Sequence, residues 1–334
     1  MVTSIVGLKD VRKAQEVLKD NARRTPLIKS FFFSSLTKGD VYLKLENLQL
    51  TGSFKFRGAF YKISTLTEEE KSHGVIACSA GNHAQGVALS AHLQGIKSTI
   101  VMPTTAPKAK VDATKSYGSE VILYGETFDE CKDECMRIAN ETGQTFLHPY
   151  DDPFVIAGQG TIGLEILEDL YDVDTVIVPI GGGGIISGIA VAIKSFNANV
   201  KIIGVQAENV HGMKASYDAN KIVRHYVAPT MADGCAVAVP GDLTFQITSQ
   251  LVDEIVTVTE DEIATSLKDL LQRGKVVVEG AGALATAAVH SGKINHAITG
   301  KKVVAILSGG NVDLARVAGV CDHFIAKEYV EREK

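Results

Sequence analysis

The chain has 334 residues, 45% of them apolar and 22% charged, with a net charge of −5. That length exceeds one comfortable core, so one large or two smaller domains are expected, and an acidic balance without a long basic run speaks against nucleic-acid binding. Five cysteines (Cys78, Cys131, Cys135, Cys235 and Cys321) are too few and too scattered for a disulfide framework, and Cys131 with Cys135 lacks the partner ligands of a zinc site. Reduced structural thiols and no metal are expected. Lys9, Asp10, Arg12 and Lys13 stand where a signal peptide needs an apolar run, and no stretch is long and uncharged enough to span a bilayer, so the expected location is cytoplasmic.

Residues 8–23 place Val11, Ala14, Leu18 and Ala22 on one helical stripe, with Asp10 as N-cap and Thr25-Pro26 beyond the end. Residues 41–48 alternate apolar and polar side chains and read as a strand that leads into Thr51, Gly52 and Ser53. The helix that follows begins near Lys55. Strands at 74–80, 97–103, 119–125 and 144–150 then alternate with helices at 81–95, 106–118 and 127–143. A second series begins after Tyr150 with a helix at 154–170, strands at 175–180 and 201–208, and a helix opened by Gly181 to Gly184. The loop-rich stretch 209–250 precedes a strand and a helix capped by Thr259 and Glu262. A helix near 279–292, a strand at 301–308 and a charged, frayed tail complete the pattern. Such alternation calls for parallel sheets covered by helices, an α/β class of fold.

Lys55 lies between Phe54 and Phe56 with Arg57 beside it. Apolar flanks, a nearby cation and a helix N-terminus all disfavour a charged amine, and a neutral amine condenses readily with a carbonyl. Gly181, Gly182, Gly183 and Gly184 follow an apolar strand and open a helix, which makes a phosphate cradle of converging N–H groups. No GK[ST] ending follows, so it is not a Walker A loop. Glu208 sits where a ribose-binding acid would, which keeps a nicotinamide-dependent oxidoreductase open as a distant alternative. Ser79-Ala80-Gly81-Asn82-His83 is a second strand-to-helix turn, fit to hold a carboxylate and to offer the Asn82 amide to a ring oxygen. His83 reads as a base or as a structural residue. A third turn, Ser308-Gly309-Gly310-Asn311, offers a hydroxyl. An aldehyde for Lys55, a phosphate for the glycines and a polar ring for Asn82 and Ser308 together describe pyridoxal 5′-phosphate.

From about Ile5 to Asp322 the chain resembles the β-family of pyridoxal-phosphate enzymes, fold type II, and within it most closely the catabolic threonine dehydratases, with the serine racemases close by. SFKFRGA, SAGNHAQG, IAGQGTIGLE, PIGGGG and LSGGN carry the resemblance. It implies two three-layer αβα domains with mostly parallel sheets, like the tryptophan synthase β-subunit. Residues 1–64 with 149–334 would form a large cofactor domain and residues 65–148 a small substrate domain. Lys55 would be the lysine that condenses with the cofactor, Gly181 to Gly184 and Ile185 would hold its phosphate, and Phe54 and Glu279 would line its ring. Asn82 would meet the ring oxygen and Ser308 the pyridine nitrogen, with Ser79, Ala80, Gly81, Asn82 and His83 on the substrate carboxylate.

The implied reaction converts L-threonine to 2-oxobutanoate and ammonia, with L-serine giving pyruvate more slowly; a serine racemase or L-serine dehydratase is the alternative. Ala80 stands where the racemases place a serine that transfers a proton on the second face of Cα, so dehydration without racemisation is expected. The racemase metal ligands fall on Gln206 and Gly212, and neither is a carboxylate. Catabolic relatives are homo-oligomers, and a nucleoside monophosphate bound between subunits activates them. Thr51, Gln85 and Asn311 match that AMP-type site, or else serve local hydrogen bonding. A homodimer or homotetramer is expected, and without a further C-terminal domain inhibition by isoleucine is not.

Overall fold

The computed structural model describes residues 6–313, 315–320, 322 and 324; Ile5, Cys321 and the tail from residue 325 lie outside these. Its strands are β1 (Leu27–Lys29), β2 (Asp40–Lys44), β3 (Val75–Cys78), β4 (Ser98–Met102), β5 (Glu120–Leu123), β6 (Thr145–Phe146), β7 (Thr175–Pro179), β8 (Lys201–Ala207), β9 (Glu254–Val258) and β10 (Lys302–Ile306). They form a six-stranded sheet ordered β1-β2-β10-β7-β8-β9 and a four-stranded sheet ordered β5-β4-β3-β6. Among the pairings of these strands in the described residues, only β1–β2 is antiparallel.

Alternate residues of the large sheet feed two separate cores, as a parallel sheet buried on both faces requires. Ile177, Ile203, Val205, Val303 and Ala305 pack with Ile263, Leu284 and Ala288 from the helices Glu260–Asp269 and Gly280–Ser291. Val176, Val178, Ile202, Val304 and Ile306 pack on the other face with Ile162 and Ile166 of helix Pro153–Asp169 and with Ile186 and Ile189 of helix Gly184–Phe196. The small sheet repeats the arrangement. Val75, Ala77, Ile100 and Met102 meet helix Asn82–Leu93 through Ala84 and Val87, while Ile76, Cys78 and Val101 meet helix Phe128–Thr142 through Cys131 and Cys135. Among the described residues, no helix is long and apolar enough to cross a membrane.

Helix Lys55–Ser64 belongs to both halves of this packing. Phe56 and Phe60 join the core shared with Ile156 and Leu164, whereas Ala59 and Ile63 join the core under the small sheet. Its approach to helix Pro153–Asp169 needs glycine on both sides. A Cβ at Gly58 would lie 2.8 Å from the Val155 carbonyl oxygen, and one at Gly158 would lie 2.7 Å from the Gly58 Cα.

Several element boundaries differ from the sequence expectation. The first helix stops at Leu18, and Gly7 is its N-cap; Asp10 sits at the third helical position and accepts from the Gly7 N–H. β1 and helix Phe31–Thr37 were not foreseen, and residues 144–150 supply only the two-residue β6. The strand expected at 41–48 ends at Lys44, where the chain enters a 3₁₀ turn over Glu46–Leu48. Lys44 and Glu46, two of the polar positions in that alternation, are both fully buried.

These two belong to a buried cluster of four charges. Arg57 donates to both carboxylate oxygens of Glu46 (2.9 and 2.8 Å) and of Glu165 (2.6 and 3.0 Å), and Lys44 donates to Glu165 at 2.6 Å and to the Thr25 carbonyl at 2.7 Å. Burial works against the Glu165 carboxylate, but Arg57 and Lys44 together hold its pKa below the usual range. Two cations and two carboxylates balance, and the bidentate geometry offsets the desolvation cost. Removing one member leaves an uncompensated buried charge. Arg57→Ala is therefore expected to destabilise the fold by roughly 3–5 kcal/mol, read as a fall in the chemical denaturation midpoint. Unchanged stability would show that the cluster relaxes without Arg57.

Candidate active site

The C-terminal ends of β3, β7 and β10 open on one cavity of about 680 Å³, and the three glycine-bearing turns line it together: Ser79 to His83, Gly181 to Ile185, and Ser308 with Asn311. Phe54, Lys55 and Glu279 line it too. The structure thus brings every expected cofactor and substrate residue to one place. Of the expected effector residues, Gln85 and Asn311 line it, and Thr51 lies just behind Asn311. Glu208 is exposed and is not among the lining residues, so the acid that kept a nicotinamide reading open does not face this cavity.

Lys55 is the first residue of its helix, and its amine donates to the Pro149 carbonyl at 2.7 Å. Burial pulls the amine down to about 8, against weaker opposing pulls from Cys235 and Glu279. Arg57, the neighbouring cation expected to add to this, is engaged by two carboxylates instead. Arg57 points the other way, and Glu46 and Glu165 neutralise it. The Phe54 ring stands 5.3 Å from the amine, on the cavity side.

Among the described residues, no hydrogen bond of the chain takes up the backbone N–H groups of Gly181, Gly182, Gly183, Gly184 or Ile185. Five unclaimed donors at a helix N-terminus are what a phosphate dianion needs. Gly183 is left-handed at φ 100°, and a Cβ at Gly182 would lie 2.4 Å from the Tyr150 ring, so side chains are excluded here. The turn after β3 repeats the pattern on a smaller scale. The N–H groups of Ala80, Asn82 and His83 are likewise unclaimed, while Gly81 N–H is held by the Ser79 hydroxyl at 3.2 Å. That turn suits a carboxylate.

The Asn82 amide donates one N–H to Glu279 (2.6 Å) and accepts from Asn311 (2.8 Å), which leaves its second N–H for a ligand. Asn311 also donates to the Thr51 carbonyl at 2.7 Å, so both its N–H groups serve local order. Burial raises Glu279 to about 7. His83 is neutral: burial, with a lesser contribution from Lys55, lowers it to about 3, and its Nε2 meets the Leu147 carbonyl at 2.9 Å. Since a carbonyl only accepts, Nε2 carries the proton, and His83 is a structural donor rather than a base. The Ser308 hydroxyl is buried and donates to the Ala281 carbonyl at 3.3 Å.

Sequence reasoning missed Tyr150, Pro149 and the turn Asp233-Gly234-Cys235, all of which line the cavity. Burial raises the Cys235 thiol to about 12, so it stays protonated. Nothing in the loop-rich stretch 209–250 marks that turn except its Asp-Gly pair. A nucleophilic amine of lowered pKa, a cradle of free N–H groups and a polar pair at opposite sides of one cavity fit a phosphate-bearing aldehyde.

Comparison with known proteins agrees with this chemistry. Residues 18–309 match the family described as pyridoxal-phosphate dependent enzymes. A catabolic L-threonine dehydratase, TdcB, of Staphylococcus aureus (strain USA300) is 60% identical over 321 residues, covering 96% of this chain and 93% of that protein. Among solved structures, maize serine racemase superposes with a TM-score of 0.91 at 34% identity, covering 97% of this chain and 99% of the other. The processed form of threonine deaminase isoform 2 from Solanum lycopersicum gives 0.89 at 39% identity, covering 94% of this chain and 86% of the other. The chain belongs to the family of pyridoxal-phosphate dependent enzymes.

Proposed function

We propose that the chain is a carbon–nitrogen lyase that converts L-threonine to 2-oxobutanoate and ammonia, with L-serine as a slower substrate. The observation that carries this reading is the Lys55 amine, lowered to about 8 and facing the same cavity as five free N–H groups. The likeness to a catabolic threonine dehydratase supports the substrate. Pyridoxal 5′-phosphate, when bound, supplies an aldehyde and a ring that takes up the electron pair left at Cα. Lys55 accepts the Cα proton, a role its lowered pKa suits near neutral pH. The N–H groups of Ala80, Asn82 and His83 hold the substrate carboxylate. Gly181 to Ile185 anchor the phosphate, Asn82 meets the ring oxygen, Ser308 meets the ring nitrogen, and Phe54 and Glu279 flank the ring.

Residues 65–148, with the small sheet, are read as the substrate unit, and residues 1–64 with 149–334 as the cofactor unit. We assign the protein to the cytoplasm as a homodimer or homotetramer. An AMP-type activator is proposed at Thr51, Gln85 and Asn311, supported by a second cavity of about 950 Å³ that Gln85 and Asn311 also line. The likeness to maize serine racemase keeps one other activity in view. Ala80 counts against it, because racemisation needs a proton donor on each face of Cα and an alanine methyl supplies none.

Lys55→Ala is expected to lose threonine turnover, followed as 2-oxobutanoate release, and cofactor uptake by the wild-type protein should quicken as pH rises toward about 8. Full turnover by Lys55→Ala would remove the lysine from the mechanism. Chiral analysis of serine incubations should find no D-serine from the wild type and some from Ala80→Ser; D-serine from the wild type would favour the racemase. Initial rates with and without AMP should differ at low threonine, and Gln85→Ala should erase the difference. Identical wild-type rates would remove the activator.

A further inference from the structure

The turn Gly181–Gly184 carries no side chain with which to fix its own peptides. Two side chains from elsewhere hold it from behind. Gln206, fully buried in β8, accepts the Lys214 N–H at its Oε1 (2.8 Å). That contact sets the amide's orientation, because an N–H must meet the oxygen, and it leaves Nε2 to donate to the Ile180 carbonyl at 3.3 Å. Thr244, in the first turn of helix Asp242–Leu251, donates its buried hydroxyl to the Gly182 carbonyl at 2.6 Å. Neither Gln206 nor Thr244 is among the cavity's lining residues, whereas all four glycines are.

No cis peptide bond occurs among the described residues. In a trans peptide the C=O and N–H point in opposite directions. Holding the Ile180 and Gly182 carbonyls away from the cavity therefore turns the N–H groups of Gly181 and Gly183 toward it. Thr244 is itself anchored. Asp151 accepts the N–H groups of Asp242 (3.1 Å) and Thr244 (3.0 Å), and its own N–H goes to His148 Nδ1 at 2.8 Å. Burial lowers His148 to about 4, which keeps that nitrogen an acceptor at neutral pH.

We infer that Gln206 and Thr244 are positioning residues for the anion cradle: they fix two of its peptides by their carbonyls, and through them the preference for a ligand that carries a phosphate. The inference rests on the cradle reading above and concerns residues that never touch the ligand. A merely structural role would weaken every ligand of the cavity alike. A positioning role weakens only those that present a phosphate.

The test uses the full-length, cofactor-stripped protein and measures dissociation constants for pyridoxal 5′-phosphate and for pyridoxal, which lacks the phosphate. Thr244→Val keeps the shape and removes the donor. It should weaken pyridoxal 5′-phosphate by about tenfold, the worth of one hydrogen bond to a charged ligand's cradle, and leave pyridoxal unchanged. Thr244→Ser should restore the wild-type value, and Gln206→Met should repeat the selective loss. Equal weakening of both ligands by Thr244→Val, or no change in either, overturns the inference. Should the wild type bind both ligands equally well, the cradle reading itself fails, and this inference with it.

Discussion

Everything at the site depends on a balance of charge that lies beneath it. Lys44, Glu46, Arg57 and Glu165 come from β2, the turn after it, helix Lys55–Ser64 and helix Pro153–Asp169, and they meet with burial nearly complete. Arg57 is two residues beyond Lys55 on the same helix. Its fork of hydrogen bonds to two carboxylates fixes how that helix is rotated about its axis, and hence where the Lys55 side chain emerges. The glycine contact between Gly58 and Gly158 fixes how closely the two helices approach. Charge sets the rotation and glycine sets the distance. The catalytic lysine proposed here is placed by both.

The same cluster shows where the sequence could be read and where it could not. The alternation of strand and helix, and the three polar turns at strand ends, were legible because each depends on residues adjacent in the chain. Lys44 and Glu46 misled, because alternation alone does not show that both charges are buried and neutralised, Lys44 by Glu165 more than a hundred positions away and Glu46 by Arg57 on the next helix. Arg57 misled for the same reason: sequence proximity made it a perturber of Lys55, while its partners in space turn it elsewhere. Thr244, Gln206 and Cys235 were illegible. Their neighbours in sequence belong to ordinary strand and loop patterns, and their significance arises only from what lies across the fold.

The cavity itself is held close to electrical neutrality. Burial keeps His83 and His148 uncharged, keeps the Cys235 thiol protonated, raises Glu279 to about 7 and lowers Lys55 to about 8. Two cations at its rim face carboxylates, Lys110 toward Asp233 at 3.7 Å and Arg224 toward Asp129 at 3.8 Å, and Lys132 also lines it. An anionic ligand at the glycine turns would be met by fixed backbone dipoles. Dipoles already oriented by the fold need no rearrangement when charge moves during a reaction. They also do not compete for the Cα proton, which suits the role proposed for Lys55 as the base.

Asn82 links this chemistry to the second cavity. Glu279 and Asn311 each line both cavities, and each is hydrogen-bonded to the Asn82 amide, one as acceptor and the other as donor. With both partners in place the amide has one orientation, and its remaining N–H has one direction. A group in the second cavity that drew Asn311 aside would remove the donor that holds the Asn82 oxygen, and the amide could then rotate about its own axis. The residue proposed to meet the cofactor's ring oxygen is therefore coupled to the second cavity through two hydrogen bonds. Thr51 shares in this, since its carbonyl is the other acceptor of Asn311 and its backbone is held left-handed at φ 64°. A non-glycine residue stays in that conformation only when its surroundings enforce it, and here the Asn311 hydrogen bond is part of the enforcement.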